Sequence, residues 1–510
     1  MGKKKNLLVI CSDEHNGKIL GCLNHPFVKT PNLDKLASQG TCFTNAYCNS
    51  PVCTPSRMSF ITGKYTHQIS SWHMGMALDE KEMTWAKKLS DNGIKSTMLG
   101  KMDFCGPYQS GGFSDYKIIQ RRQQWKEVPC KIPFNARLKG YTRKDKRAHI
   151  LNAGIREDVV TDGKNGSKDT LGYYDHDRIV TQWAIDYLKE KISSNQPWAL
   201  YVGLLYPHWP FCVPKKYFDM YYKNVDLPID MNLDNPNLHP LLKELQVSMQ
   251  LDGITNEQVR TAVATYYGMI TCMDDMVGEI LNQLEIQGLT ENTNIIYTSD
   301  HGELIGEHGL FYKQCPYDGS SKIPLIIKGE EFLANKKNDT IVSLVDMYPT
   351  IMEMFGLECE SDRVGQSWLP LLNGEKRENQ YAFSEYHGNF FTQDWYMLRD
   401  EKYKYIHYQN RRASLFDMKN DPDEMNDLVV NSTVESDIII EKMEKALQKI
   451  ANTEEVSLKA KTDLGLIGEN GEDYTETLSY EEFSTWEISK KEYTIKNQLR
   501  AVNGIFENEH

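Results

Sequence analysis

Ser50-Pro51-Val52-Cys53-Thr54-Pro55-Ser56-Arg57-Met58-Ser59-Phe60-Ile61-Thr62-Gly63-Lys64 presents a cysteine on a turn that runs into a helix. Pro55 fixes its own φ and biases Thr54 toward an extended backbone, while Ser56 followed by Met58, Phe60 and Ile61 reads as a helix start. Cys53 then stands at a helix N-terminus, where unpaired N–H groups and the macrodipole favour negative charge. Arg57, one turn on, adds a full positive charge. A buried free cysteine beside an ordinary turn is the plainer reading of the same residues. The choice between the two rests on what the rest of the chain brings to this place.

Working outward, four apolar runs end in chemistry. Leu7 to Cys11 is a short buried-strand pattern ending in Asp13 and Glu14, and Asn294 to Ser299 ends in Asp300, His301, Gly302 and Glu303. Lys95 to Gly100 ends in Lys101, and Trp198 to Leu205 ends in Pro207-His208-Trp209-Pro210. Each lone acid or histidine has an ordinary reading as a cap or a surface group. Taken together, two acidic strand ends, a presented cysteine, lysines and a histidine held between prolines form one site for a tetrahedral oxyanion facing a metal-held nucleophile. Helical periodicity over Thr30 to Gly40, Trp85 to Gly93, Tyr174 to Lys191 and Arg260 to Gln287 alternates with these strands, so an α/β fold is expected. The Met and aromatic stripe of the last helix reads as core.

These residues, in this order, resemble the type I, formylglycine-dependent sulfatases of the alkaline-phosphatase superfamily. The resemblance rests on Cys53-Thr54-Pro55-Ser56-Arg57 with Thr62-Gly63-Lys64, Gly100-Lys101, Pro207-His208-Trp209-Pro210, Asp300-His301-Gly302 and Leu415 to Leu428. It implies a large mixed, mostly parallel sheet flanked by helices, with a smaller C-terminal α+β domain on an antiparallel sheet. It further implies that Cys53 is converted to formylglycine by a maturation enzyme. Asp13, Glu14, Asp300, His301 and residue 53 would hold a divalent metal, Ca²⁺ first, with Mg²⁺ or Mn²⁺ as alternatives. Lys101 and Lys313 would contact sulfate, Arg57 with Lys64 and His67 would stabilise the hydrate, and His208 would protonate the leaving alcohol. His308 would touch the leaving group. Asp103 stands where the family usually has a histidine: either it replaces that base or it contacts the substrate.

Composition excludes other classes. At 510 residues, 40% hydrophobic and 25% charged, the chain has the balance of a globular protein, and a net charge of −13 argues against nucleic acid or an anionic membrane as the main partner. Eleven cysteines without regular pairing suit a reducing compartment, and no apolar stretch reaches membrane-spanning length, so a cytoplasmic location is expected. The domains are expected at residues 1–375 (catalytic) and 376–510. In the second, strands at 380–383, 395–399, 403–408 and 414–417 precede a helix near 434–451 and an acidic aromatic tail, which would cover a neighbouring subunit of a homo-oligomer or close the pocket. Arg121, Arg122 and Arg137, in the Gly- and Lys-rich stretch from 106 to 168, read as solvated surface.

The function expected is hydrolysis of a small organic or carbohydrate sulfate ester. A phosphonate or phosphate ester hydrolase, a phosphotransferase-like enzyme using unmodified Cys53, and a binding protein that keeps the fold are the alternatives.

Overall fold

The parallel strands whose ends carry the acids and lysines lie side by side. The computed structural model describes residues 5–74, 76–119, 150–151, 153–155, 172–191, 196–229, 231–232, 235, 238–249, 251, 253–330, 332–377, 381–388, 393–467, 471 and 473. Arg121, Arg122 and Arg137, and nearly all of the acidic tail, lie outside these residues. Among the described residues the main sheet has nine strands: β1 (Asn6–Ser12), β2 (Thr41–Tyr47), β3 (Lys95–Gly100), β4 (Asp115–Lys117), β5 (Trp198–Gly203), β6 (Thr293–Ser299), β7 (Lys322–Lys328), β8 (Lys336–Asn338) and β9 (Val342–Ser343). Their order is β8-β2-β7-β6-β1-β5-β3-β4, with β9 also pairing β2. The run β6-β1-β5-β3-β4 is parallel, and β7 is antiparallel to both its neighbours.

Both faces of the sheet are covered over its middle, which is why β1, β5 and β6 are buried along their whole length, while the short edge strands β4 and β8 are polar and exposed. In β1, Leu8 and Ile10 point into one core and Leu7, Val9 and Cys11 into the other, the two-residue period of a strand. One core is closed by α1 (Pro31–Ser38), α4 (Tyr173–Glu190) and the 31-residue α5 (Asn256–Ile286), the other by α2 (Cys53–Thr62), α3 (Trp85–Asp91) and α6 (Met347–Met354). Helix α5 starts at a capping box between Thr255 and Gln258, which satisfies two otherwise unpaired N–H groups. At the end of β3 the chain must turn beside β5 at close range. Gly100 adopts φ 85°, and a Cβ there would lie 2.2 Å from the Gly203 carbonyl oxygen, so only glycine fits.

Helix α2 begins earlier than the sequence suggests. Cys53 itself is the first helical residue, Val52 is the extended cap, and Thr54 is helical, not extended. Pro55 falls in the first turn, where its missing N–H is one that has no intrahelical partner anyway. All ten residues of α2 are buried.

A second sheet of four antiparallel strands, β10 (Ala382–Tyr386), β11 (Trp395–Arg399), β12 (Tyr403–Tyr408) and β13 (Ser414–Asp417), follows as a meander. The first of these is shifted a few residues later than expected. Helix α7 (Val434–Ile450) covers one face through Met443 and Leu447 against Phe383, Leu398 and Leu415. The opposite face, with Tyr386, Trp395, Met397, Ile406 and Phe416, is continuous with a core of the main sheet. Helix α8 (Thr453–Asp463), absent from the sequence expectation, packs Ala460 with Leu464 and Leu466 on Trp72 and Met76. Among the described residues no helix is long and apolar enough to cross a membrane.

Candidate active site

Four neighbouring parallel strands deliver their carboxyl ends to one place: Asp13 and Glu14 follow β1, Lys101 follows β3, His208 follows β5, and Asp300 and His301 follow β6. Helix α2 brings the start of its first turn to the same spot. The Cys53 sulfur lies 3.3 Å from His301 Nε2, 3.7 Å from Asp13 Oδ1 and 3.3 Å from the Lys313 ammonium. Asp13, Glu14, Arg57, Asp300 and His301 are completely buried.

Arg57 is fixed from several sides. Its Nε donates to Asp300 Oδ2 at 2.9 Å, and one terminal nitrogen donates to the Lys101 carbonyl at 3.0 Å and the Tyr201 hydroxyl at 2.9 Å. The other terminal nitrogen lies 3.5 Å from Asp13 Oδ2. Lys101 pairs closely with Asp13 Oδ2 and at 3.1 Å with Asp103. Burial opposes ionisation of Asp13, but the charges of Lys101, His208 and Arg57 outweigh it and hold its pKa well below the ordinary carboxylate range. Burial dominates at Cys53 and pushes the thiol up to about 12, even with Lys101 and Lys313 beside it.

His301 is set up as a neutral ligand. Its Nδ1 is 3.0 Å from the Gly302 carbonyl, which can only accept, so Nδ1 carries the proton and the Nε2 lone pair faces Cys53. Burial lowers its pKa to about 4, against the pull of Asp300 and Asp13. Ligand atoms of Asp13, Cys53, Asp300 and His301 all lie within 4.8 Å of one another. Two carboxylates, one imidazole and an atom at position 53 suit a divalent cation of Ca²⁺, Mg²⁺ or Mn²⁺ type, once the sulfur is replaced by oxygen. The Lys101 ammonium pressed against Asp13 shows that this carboxylate attracts a cation.

Glu14 faces another way. Its carboxylate meets the Lys313 ammonium at 2.9 Å and His208 Nε2 at 3.3 Å, and it groups with Asp13 and His208 instead of with Asp300 and His301. A lysine cation therefore already stands beside it. Burial raises the Glu14 pKa well above normal, with Glu303 adding to the effect against Lys313. His208 donates Nδ1–H to the Trp209 carbonyl, leaving Nε2 toward the site. Burial and then the charge of Lys313 lower its pKa.

Three of the residues expected here are engaged elsewhere. Lys64 bridges Glu82 at 2.9 Å and Asp362 at 3.0 Å. His67 is bound by Glu385 at 2.9 Å, and Glu385 is itself held by His387 at 3.0 Å. His308 stacks at 4.4 Å on Tyr317, in the direction of the four-stranded sheet. The chain leaves α2 at Gly63, with φ 68°, and His308 has φ 56°. Tyr201, which anchors Arg57, and Glu303 were not singled out as functional. Only the facing alternation of β5 and the acidic run after β6 hint at them.

The profile of the sulfatase family matches residues 5–357, well over half of the chain. The chain belongs to the sulfatase family. As a sulfatase it is a sulfuric ester hydrolase, and a second profile, that of the N-sulphoglucosamine sulphohydrolase C-terminal region, matches residues 306–453. Arylsulfatase K of Xenopus laevis is 31% identical over 488 residues, which span 89% of this sulfatase and 84% of the relative. The phosphonate monoester hydrolase of Agrobacterium radiobacter superposes with a TM-score of 0.70 at 23% identity, covering 92% of this chain and 99% of that one. A 2-O GAG sulfatase gives 0.69 at 20% identity, covering 93% and 96%. At these identities the two structures show a shared fold.

Proposed function

We propose that this sulfatase hydrolyses a small organic or carbohydrate sulfate ester, with residue 53 as formylglycine and a divalent cation held by Asp13, Asp300 and His301. The carrying observation is the position of Cys53: a thiol that burial keeps protonated, yet surrounded by two metal-type ligands and an ammonium. Such a thiol is a poor nucleophile, whereas an oxygen in the same place suits the site. Its sulfur therefore stands in for the hydroxyl oxygen of the matured residue.

Hydrated formylglycine supplies the hydroxyl that attacks sulfur and a second hydroxyl whose deprotonation releases sulfate. The cation supplies Lewis acidity where charge builds on the reacting oxygens. Lys101, paired with Asp13, and Lys313, paired with Glu14, neutralise the sulfate oxygens. Arg57, immobilised by Asp300, Tyr201 and the Lys101 carbonyl, keeps positive charge beside Asp13. His208 Nε2 is the atom that passes a proton to the leaving alcohol; a bound sulfate anion offsets the repulsion by Lys313 and Lys101 that lowers its pKa. Asp103, paired with Lys101, is the candidate acceptor for the proton lost when sulfate departs.

The test combines coexpression with a formylglycine-generating enzyme, mass spectrometry of the peptide containing residue 53, and turnover of nitrophenyl sulfate, phosphate and phosphonate esters. The expected peptide is lighter by the difference between a CH₂SH and a CHO side chain, its abundance tracks turnover, and sulfate is the preferred ester. Full activity with an unmodified thiol, or in Cys53→Ala, overturns the mechanism. The fold shared with a phosphonate monoester hydrolase supports one second reading, and phosphonate outpacing sulfate would establish it.

A further inference from the structure

Lys313 ends a loop that its own backbone closes only in part, with Gly306 N–H donating to the Leu310 carbonyl at 2.7 Å and Glu307 N–H to the Leu304 carbonyl at 2.9 Å. Ile305, Tyr312 and Gln314 all have positive φ, 46°, 67° and 72°, conformations that side-chain-bearing residues adopt only when surrounding contacts impose them. Gln314 is held from outside, its N–H donating to the Pro51 carbonyl at 3.1 Å, whereas Ile305 and Tyr312 share one buried side chain. Glu303 is completely buried, and its Oε1 accepts the Ile305 N–H at 2.7 Å and the Tyr312 N–H at 2.5 Å. The Leu304 N–H donates to the Tyr312 carbonyl at 2.8 Å, so the loop closes around Tyr312 from both sides of its peptide unit. Asn16, in the turn after β1, donates to the Glu303 carbonyl at 3.0 Å and ties the same residue to the segment carrying Asp13 and Glu14. The Tyr312 ring packs edge-on to Trp209 at 5.5 Å and stacks on Phe211 at 6.1 Å, the residues that follow His208.

We propose that Glu303 is a positioning residue for the reaction: its carboxylate folds the 303–313 loop onto Tyr312 and thereby holds the Lys313 ammonium against residue 53 and the Tyr312 ring against the His208 loop. The role of Lys313 as a sulfate contact is the reading given under Proposed function, and the placement of Lys313 is a separate claim. A carboxyl group fits because one of its oxygens can accept two backbone N–H bonds at once. Removing it leaves two buried N–H groups unpaired inside a loop already in unfavourable φ, and the loop relaxes.

The experiment compares wild type with Glu303→Ala and Glu303→Gln by the rate at which a small amine-acetylating reagent labels Lys313, read by mass spectrometry, alongside turnover of nitrophenyl sulfate by matured protein. Lys404, fully buried in the four-stranded sheet, is the internal control for folding. Glu303→Ala is expected to label Lys313 at least tenfold faster with Lys404 still protected, and to lower kcat about 10²-fold, the scale of one lost transition-state contact. Glu303→Gln, whose amide oxygen still accepts both N–H groups, recovers most of both effects. In a Lys313→Ala background the Glu303→Ala change costs clearly less turnover than it does alone, because the part of its effect that runs through Lys313 is already gone and only the part through Tyr312 and the His208 loop remains. If Glu303→Ala exposes Lys404 as well, Glu303→Asp, which keeps the charge and shortens its reach, gives the selective labelling instead. Lys313 as protected in Glu303→Ala and Glu303→Asp as in wild type, or Glu303→Gln as impaired as Glu303→Ala, overturns the proposal. A wild type inactive on sulfate esters would sink the proposed reaction and leave the labelling comparison to decide this one.

Discussion

Lys313 and His208 approach residue 53 from separate loops, and both sit against Glu14. The tasks proposed for them differ, so their variants are expected to separate kinetically. Lys313→Ala is expected to lower kcat by about 10²–10³-fold on every sulfate ester, because it removes a cation from the oxygens that gain charge in the transition state. His208→Asn is expected to cost about 10²–10⁴-fold with an alkyl sulfate and far less with nitrophenyl sulfate, whose leaving group departs without a proton. Steady-state rates over a series of leaving groups check both; equal losses across the series for His208→Asn would remove its acid role. At this scale the sequence was legible where a residue ends a strand. Asp13, Lys101, His208 and Asp300 needed only the strand pattern to be placed at one sheet edge. Lys64, His67 and His308 were expected at the site from the resemblance, and their side chains meet Glu82 and Asp362, Glu385, and Tyr317 instead.

Between elements, the four-stranded sheet holds the catalytic loop through buried charge. Lys404 on β12 pairs with Asp318 and with Glu424 at 2.8 Å, and Trp395 on β11 donates to the Gln314 carbonyl at 3.0 Å, next to Lys313. Lys404→Met is expected to destabilise the protein by about 3 kcal/mol, since it strands two buried carboxylates, and a denaturant melt at neutral pH measures it. Strands β1, β5 and β6 were legible from the apolar runs that two-sided burial demands, Leu7 to Cys11, Trp198 to Val202 and Ile295 to Tyr297, and β3 from Met98 and Leu99 before Gly100-Lys101. Helix α8 was not, since its apolar contacts are few: Ala460 is its main core residue, and charged side chains such as Lys459 and Lys461 alternate with them. The early start of α2 was hidden by Pro55, which sits in the one part of a helix where proline costs nothing.

Across the whole molecule, a chain of alternating charge joins the segment after α2 to the second sheet: His67, Glu385, His387 and Asp394, the last pair at 3.2 Å, with the Trp72 ring against His387. Burial would lower the His387 pKa, but the charges and hydrogen bonds of Asp394 and Glu385 outweigh it and lift the pKa to about 9. A folded pKa above the unfolded value near 6.5 stabilises fully below that value and is lost as pH rises through 9. The contribution is on the order of 3 kcal/mol. Glu385 is displaced the other way, held far below its usual range against burial by His67 and His387, so its contribution is lost in acid. The melting temperature is thus expected to fall from pH 6.5 to beyond 9, and His387→Gln to flatten that limb; an unchanged alkaline slope in the variant would remove His387 as its source.

The central claim, that a cation sits between two strand ends and residue 53, is tested most directly by anomalous diffraction from crystals of the matured protein loaded with Mn²⁺. The expected result is one strong peak bounded by Asp13, Asp300 and His301 and in contact with an oxygen of residue 53. A peak held instead by Glu14 and His208, or no cation within reach of residue 53 in a crystal whose dissolved protein turns over sulfate esters, would contradict it.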